Sequence, residues 1–187
     1  MGLHGSASGA EQLRAADDVV VLLDQHDRPC GTAPRLSVHT AHTPLHLAFS
    51  CYVRRADGRL LMTRRALTKR TWPGVWTNSC CGHPRPGEPI PDAISRRLVD
   101  ELGAMASAIT VALPYFRYRA EDASGIVENE FCPVYVATLI GDVHPDEDEV
   151  AEIAWVDPAE IALVAARTPW LLSPWCVSQL AQLHGAL

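Results

Sequence analysis

Gly82-His83-Pro84-Arg85-Pro86-Gly87-Glu88-Pro89-Ile90-Pro91-Asp92-Ala93-Ile94-Ser95-Arg96-Arg97-Leu98-Val99-Asp100-Glu101-Leu102-Gly103 reads as a loop that runs into an amphipathic helix. Pro91 suits an early helical position, where its missing N–H is not needed, and Gly103 suits the left-handed residue just past the end. Between them Ile94, Leu98 and Leu102 recur every four residues and form an apolar stripe. Arg97 and Glu101 share another face at i and i+4, which sets a guanidinium beside a carboxylate. A helix is therefore predicted over 91–102, with one apolar face and one charged face.

Outward from this helix, strands dominate. Val19–Leu23 reads as a first strand, Asp27-Arg28-Pro29 as a turn, and the stretch up to Arg35 as a second short strand. Ser37–Pro44 is a polar loop. Leu45–Val53 and Leu60–Arg64 flank the hairpin turn Ala56-Asp57-Gly58-Arg59. Trp72-Pro73-Gly74 breaks the chain and Val75–Ser79 is strand-like. Beyond the helix, Ile109–Arg119 and Ile126–Ile140 read as long strands. An acidic loop, Asp146-Glu147-Asp148-Glu149, precedes the strand Ile153–Val156. Asp157-Pro158-Ala159-Glu160 is a capping box that opens a further helix, and Ser173-Pro174 opens the last. Strands in the middle with helices at the flanks predict an α+β class, layered α/β/α.

The chain has 187 residues, 48% of them hydrophobic, which suits one domain with a substantial core. Residues 1–17, rich in Gly, Ser and Ala, read as a disordered leader, and 18–187 as a single domain. Sixteen basic against 22 acidic residues give a formal charge of −6, without the basic field of a nucleic-acid binder. No apolar run is long enough to cross a bilayer, and the start lacks the regions of a signal peptide. Met1-Gly2-Leu3-His4-Gly5-Ser6 matches the loose acylation pattern, with no basic cluster to support it. Six cysteines without paired spacing suggest free thiols in a reducing compartment, so the expected location is cytoplasmic. Lys69 is the only lysine.

Two short alternations carry chemistry. Cys81-Gly82-His83 and Glu128-Asn129-Glu130 each place residues i and i+2 on one face of a strand. One can aim a thiol and an imidazole into a cavity, the other two carboxylates. Together with His39 and His46 they offer a mixed donor set that suits a divalent transition ion such as Mn²⁺, and also zinc. Taken singly, each histidine also reads as a surface or hydrogen-bonded residue, and the glutamate pair as a solvated strand face. Arg64-Arg65-x3-Lys69-Arg70 is a basic cluster suited to phosphate, or an ordinary charged strand end. Trp72, Trp76, Tyr118 and Trp175 are candidate walls for an apolar ligand, or core residues.

The stretch from Gly82 to Gly103 is close to the Nudix box, Gly-x5-Glu-x7-Arg-Glu-apolar-x-Glu-Glu-x-Gly. Arg97 stands where that box has its first catalytic glutamate, and Asp100 replaces another; Glu101 remains. One carboxylate is thus kept for Mg²⁺, and pyrophosphate hydrolysis is disfavoured. The blocks Leu45–Ser50, Thr63–Ala66, Trp72–Ser79, Cys81–Pro84, Glu101–Gly103, Phe116–Ala120, Gly125–Glu130 and Ser173–Trp175 resemble the type I isopentenyl diphosphate isomerases, in order, from about Arg35 to Trp175. The resemblance implies a Nudix-like mixed sheet flanked by helices and the interconversion of isopentenyl and dimethylallyl diphosphate, a small homoallylic and allylic pair.

It further implies His39, His46, His83, Glu128 and Glu130 as ligands of an enzyme-held Mn²⁺ or Zn²⁺. Glu101 would be the side-chain ligand of a Mg²⁺ that arrives with the diphosphate. Arg65, Lys69 and Arg97 match diphosphate-contacting positions; Arg35 falls where a close relative would have lysine. Cys81, not Cys80, matches the catalytic thiol, with Glu130 as the opposing acid–base group, Tyr118 beside it and Trp175 facing a carbocation. Neither a nucleic-acid nor a membrane partner is expected, and the chain is expected to be a monomer or weak dimer. The rivals are a Nudix hydrolase of a nucleoside diphosphate derivative, a non-catalytic Nudix-like module, and a small zinc-structured domain on Cys51, Cys80, Cys81 and His83. The last has a spacing that fits no standard finger.

Overall fold

The computed structural model describes residues 19–183; the expected leader over 1–17 lies outside them. Two extended segments organise the molecule by passing from one sheet to another. The first comprises β3 (His46–Leu47) and β4 (Phe49–Arg54). The second comprises β10 (Val127–Phe131) and β11 (Val134–Ile140). They run parallel and change sheet at the same level, where Ala48 N donates to Phe131 O at 2.9 Å and Ser50 N to Pro133 O at 3.1 Å.

The first sheet is completed by β1 (Val19–Leu23), β2 (Pro29–Pro34) and β9 (Arg117–Glu121), in the order β2-β1-β3-β10-β9. The second adds β5 (Leu60–Arg65), β8 (Met105–Leu113) and β12 (Val150–Val156), in the order β12-β5-β4-β11-β8. Two short strands attach to it, β6 (Trp76–Thr77) on β5 and β7 (Cys80–Gly82) on β4.

Proline explains where the strands expected over 109–119 and 126–140 divide. Pro133 has no N–H for a ladder, and the chain crosses between sheets there. Pro114 follows β8, and the chain resumes as β9 in the other sheet. The strand expected over Val75–Ser79 is confined to Trp76–Thr77, because the Ser79 hydroxyl takes over backbone partners. It accepts from Val53 N at 2.7 Å and donates to Leu61 O at 2.6 Å. The loop expected over Ser37–Pro44 begins inside a helical turn, α1 (Arg35–Val38).

The second sheet is covered on both faces, and β4 shows why. Phe49, Cys51 and Val53 pack with Ala93, Ile94, Leu98 and Leu102 of α2 (Ile90–Leu102). Tyr52, one residue out of phase, packs in a separate cluster with Ile161 and Ala165 of α3 (Pro158–Arg167) and with Trp175, Cys176 and Leu180 of α4 (Pro174–Leu180). The period of two thus divides one strand between two cores, and the layering is α/β/α as expected. Burying a side chain such as Leu98, which is wholly inaccessible, is worth roughly 1.5–3 kcal/mol.

The helix ends follow their sequence signals. Gly103 takes a left-handed φ of 53°, and Ala104 N closes the helix on Leu98 O at 3.1 Å. Asp157 and Ser173 accept from Ala159 N and Cys176 N. No described helix is long and apolar enough to cross a membrane.

Candidate active site

Strand register builds the centre of the site. Glu130 on β10 stands opposite His46 on parallel β3 and opposite Tyr118 on antiparallel β9. Glu130 Oε1 faces the imidazoles: His83 Nε2 at 3.2 Å, His46 Nε2 at 3.4 Å and His39 Nε2 at 3.9 Å. Glu130 Oε2 lies 2.9 Å from the Tyr118 hydroxyl, which also lies 2.8 Å from Glu128 Oε2. The i, i+2 spacing therefore brings both carboxylates to one phenol. Glu128 Oε1 accepts from Thr71 Oγ1 at 3.1 Å.

Burial opposes charge on Glu130, but the imidazoles of His39, His46 and His83 gathered around its Oε1 outweigh it and hold the carboxyl well below the usual range. Burial and the neighbouring Glu130 charge push Glu128 up. Burial pulls His83 down to about 4. The same burial acts on His46, but the Glu130 carboxylate outweighs it and leaves His46 raised.

His39, His46, His83 and Glu130 each offer a ligand atom within 4.8 Å of the others. His46 Nδ1 lies 2.9 Å from the Pro44 carbonyl, which can only accept, so the neutral ring keeps its Nε2 lone pair for the site. That nitrogen is 3.2 Å from His83 Nε2. Nitrogens converging on one carboxylate oxygen fit a single divalent ion, and imidazole with carboxylate is a donor set for Mn²⁺ or Zn²⁺. Glu128 adjoins this group through Tyr118 and is not one of its four converging donors.

The thiol comes from β7. Cys81 pairs in register with Ser50 of β4, and its Sγ lies 3.3 Å from Ser50 Oγ and 3.2 Å from Asn78 Oδ1. Burial pushes the thiol up to about 12, so Cys81 carries its proton where Glu130 lacks one. Trp175 closes the wall, its ring centroid 5.5 Å from that of Tyr118 and 5.7 Å from that of Trp72.

A cavity of about 390 Å³ gathers these groups: His39, Cys81, His83, Tyr118, Glu128, Glu130 and Trp175 line it, and so do Arg35, Arg65, Lys69, Arg97 and Glu101. Of the residues that the family resemblance implies for the site, His46 alone stands behind the wall, wholly buried; Trp72 and Trp76, read as candidate walls, pack against the core instead, and Arg64 of the basic cluster does not line the cavity. The cations are not idle. Arg97 pairs with Glu101 one helical turn on, and Lys69 with Glu149. Arg65 donates from Nε and Nη2 to the Thr71 carbonyl, at 3.2 and 2.9 Å, and from Nε to the Trp72 carbonyl at 3.2 Å, bracing that loop. Glu88, the first glutamate of the box, is held by Arg96 through two bonds of 2.9 and 2.8 Å.

Glu149, Thr71, Ser50 and Asn78 escape the sequence reading. Glu149 lies in the acidic loop, which carries no signal that one of its carboxylates reaches Lys69 across the fold. Ser50 and Asn78 lie within the quoted blocks, as small polar residues without chemistry of their own.

The NUDIX domain family matches residues 44–176. Among solved structures, a Deinococcus radiodurans protein superposes with a TM-score of 0.67 at 16% identity, over 89% of this chain and 99% of its own. A MutT protein from Methanosarcina mazei does so with a TM-score of 0.58 at 19% identity, over 75% and 94%. These likenesses establish the fold. Closer in sequence, the isopentenyl-diphosphate Delta-isomerase of Frankia alni is 62% identical over 164 residues, 88% of this chain and 84% of that protein. Its namesake from Leifsonia xyli is 55% identical over 169 residues, 89% and 91%. The chain belongs to the NUDIX domain family and, within it, to the isopentenyl-diphosphate Delta-isomerases.

Proposed function

We propose that this chain interconverts isopentenyl diphosphate and dimethylallyl diphosphate by protonating and deprotonating carbon. The observation that carries the reading is that the Cys81 thiol and the Glu130 carboxylate line one cavity together with Arg35, Arg65, Lys69 and Arg97. An isolated alkene is a poor base. A proton added to its terminal carbon gives a tertiary carbocation, and a proton lost from the neighbouring carbon leaves the double bond shifted by one position. One group must give and another must take, and Cys81 and Glu130 form that pair, with Tyr118 bridging Glu130 to Glu128.

The Trp175 ring faces the cation; a desolvated cation–π contact is worth roughly 2 kcal/mol. The aromatic wall also keeps out water, which would trap the cation as an alcohol. Arg35, Arg65, Lys69 and Arg97 hold the diphosphate, and Glu101 is placed to ligate a Mg²⁺ that comes with it. His39, His46, His83 and Glu130, with Glu128 alongside, would hold a Mn²⁺ or Zn²⁺. Such an ion lowers the proton affinity of the carboxyl it touches.

All these groups come from one chain, so a single copy suffices, in keeping with a monomer or weak dimer acting on a small molecule in the cytoplasm. Hydrolysis of a nucleoside diphosphate derivative is the weaker reading, because Arg97 replaces a box carboxylate and the added Cys81 and Glu130 pair lines the same cavity. The discriminating experiment offers the protein isopentenyl diphosphate and, separately, nucleoside diphosphate derivatives. Dimethylallyl diphosphate without released phosphate is expected; monophosphate release without isomerisation would overturn the proposal.

A further inference from the structure

Asn78 sits wholly buried between β6 and β7 and lines no part of the main cavity. Its Nδ2 donates to the Cys80 carbonyl at 2.8 Å and the Cys51 carbonyl at 3.2 Å. Carbonyls only accept, so these two bonds fix which way the amide points. Its Oδ1 then receives Thr77 Oγ1 at 2.9 Å, Trp175 Nε1 at 3.1 Å and Cys81 Sγ at 3.2 Å. The indole N–H is a donor only and needs such an acceptor when buried. One oxygen therefore ties the thiol on β7 to the aromatic ring on α4.

Ser50 meets the thiol from the neighbouring strand. Its Oγ accepts from Gln179 Nε2 at 2.9 Å, and Gln179 Oε1 in turn accepts from the Tyr52 hydroxyl at 3.0 Å. The Ser50 hydroxyl hydrogen is thus left for sulfur, Cys81 Sγ at 3.3 Å or Cys132 Sγ at 3.4 Å. Ser50, Tyr52, Asn78 and Gln179 are all fully buried. Burying polar groups is costly unless each finds a partner, and a fully satisfied network is rigid.

We propose that Asn78 and Ser50 are positioning residues: Asn78 locks the Cys81 thiol and the Trp175 indole in one register at the cavity wall, and Ser50 closes on the thiol from the other side. The proposal rests on the isomerase reading for what the thiol and indole do. Neither residue lines the substrate cavity, so both act through Cys81 and Trp175. Proton transfer to carbon depends on alignment, and a misplacement near 1 Å can cost about 100-fold in rate.

The test compares wild type, Asn78→Ala and Ser50→Ala, with folding checked by near-ultraviolet circular dichroism. Each folded variant should lose about 10- to 100-fold in kcat while KM stays within about threefold. In Asn78→Ala the Trp175 indole Nε1–H resonance, identified as the signal missing from Trp175→Phe, should shift; in Ser50→Ala it should stay. Wild-type kcat in either folded variant, or an unmoved indole resonance in Asn78→Ala, would overturn the proposal.

If Asn78→Ala does not fold, the wild type decides. The S–H stretching band that disappears in Cys81→Ala should lie at the low-frequency, hydrogen-bonded position; a free-thiol position would overturn the proposal. Absence of isomerisation by the wild type would instead sink the isomerase reading, and the indole and S–H signals would still report the clamp.

Discussion

The stem of Arg97 lies across the backbone of Gly82: a Cβ built on that glycine would stand 3.0 Å from Arg97 Cγ, with Phe49 Cζ equally near. Gly82 is thus required by close approach and separates Cys81 from His83 without a side chain of its own. Gly82→Ala must push against wholly buried Phe49 or move Arg97. We expect a loss of about 1–3 kcal/mol in unfolding free energy, with a rise in KM for the diphosphate larger than the fall in kcat. Denaturant unfolding and steady-state kinetics check both; an unchanged unfolding free energy together with an unchanged KM would contradict the close approach at Gly82.

Burial brings the Lys69 ammonium down to about 8, so its charge is present below that pH and lost above it. The charged form is the one that attracts a diphosphate, and kcat/KM reports the free enzyme. The kcat/KM profile should fall as pH rises through about 8. Lys69→Arg keeps its charge throughout and should carry the plateau to higher pH. An alkaline limb that does not move in Lys69→Arg would contradict the assignment.

Removing metal with a chelator should lower the melting temperature, because the converging imidazoles lose the ion that binds only the folded chain. Restoring Mn²⁺ or Zn²⁺ to about 100 times its dissociation constant should return about 2.7 kcal/mol. His46→Ala should abolish this response. A chelated protein that neither releases metal by elemental analysis nor changes its melting temperature would contradict the site.

Glu101→Ala should raise the Mg²⁺ concentration needed for half-maximal activity while leaving the metal content of the histidine site unchanged. An identical Mg²⁺ titration curve would exclude Glu101 as a ligand.

Much of this was legible in the chain because the signals are local. The stripe of Ile94, Leu98 and Leu102 and the left-handed Gly103 define α2 within about three helical turns of sequence. The motif blocks contain Arg65, Cys81, His83, Glu101, Tyr118, Glu128, Glu130 and Trp175, all of which line the cavity. What escaped depends on distance. Nothing near Glu149 shows that it will meet Lys69. Nothing near Asn78 shows that Trp175 will come to its amide oxygen, since the two are 97 residues apart. The long apolar runs misled for a related reason. A strand that changes sheet keeps its period of two on both sides of the crossing, so only Pro133 and Pro114 mark the break.

The central claim is proton exchange at carbon by Cys81 and Glu130 in one cavity. Its most direct test incubates isopentenyl diphosphate with the protein in heavy water and Mg²⁺, beside Cys81→Ala and Glu130→Gln. General acid–base groups typically contribute about 100- to 10,000-fold. The account predicts deuterium-labelled dimethylallyl diphosphate from the wild type and losses of that order in each variant, with both still folded. Unlabelled product from the wild type, or labelled product at the wild-type rate from either variant, would contradict it.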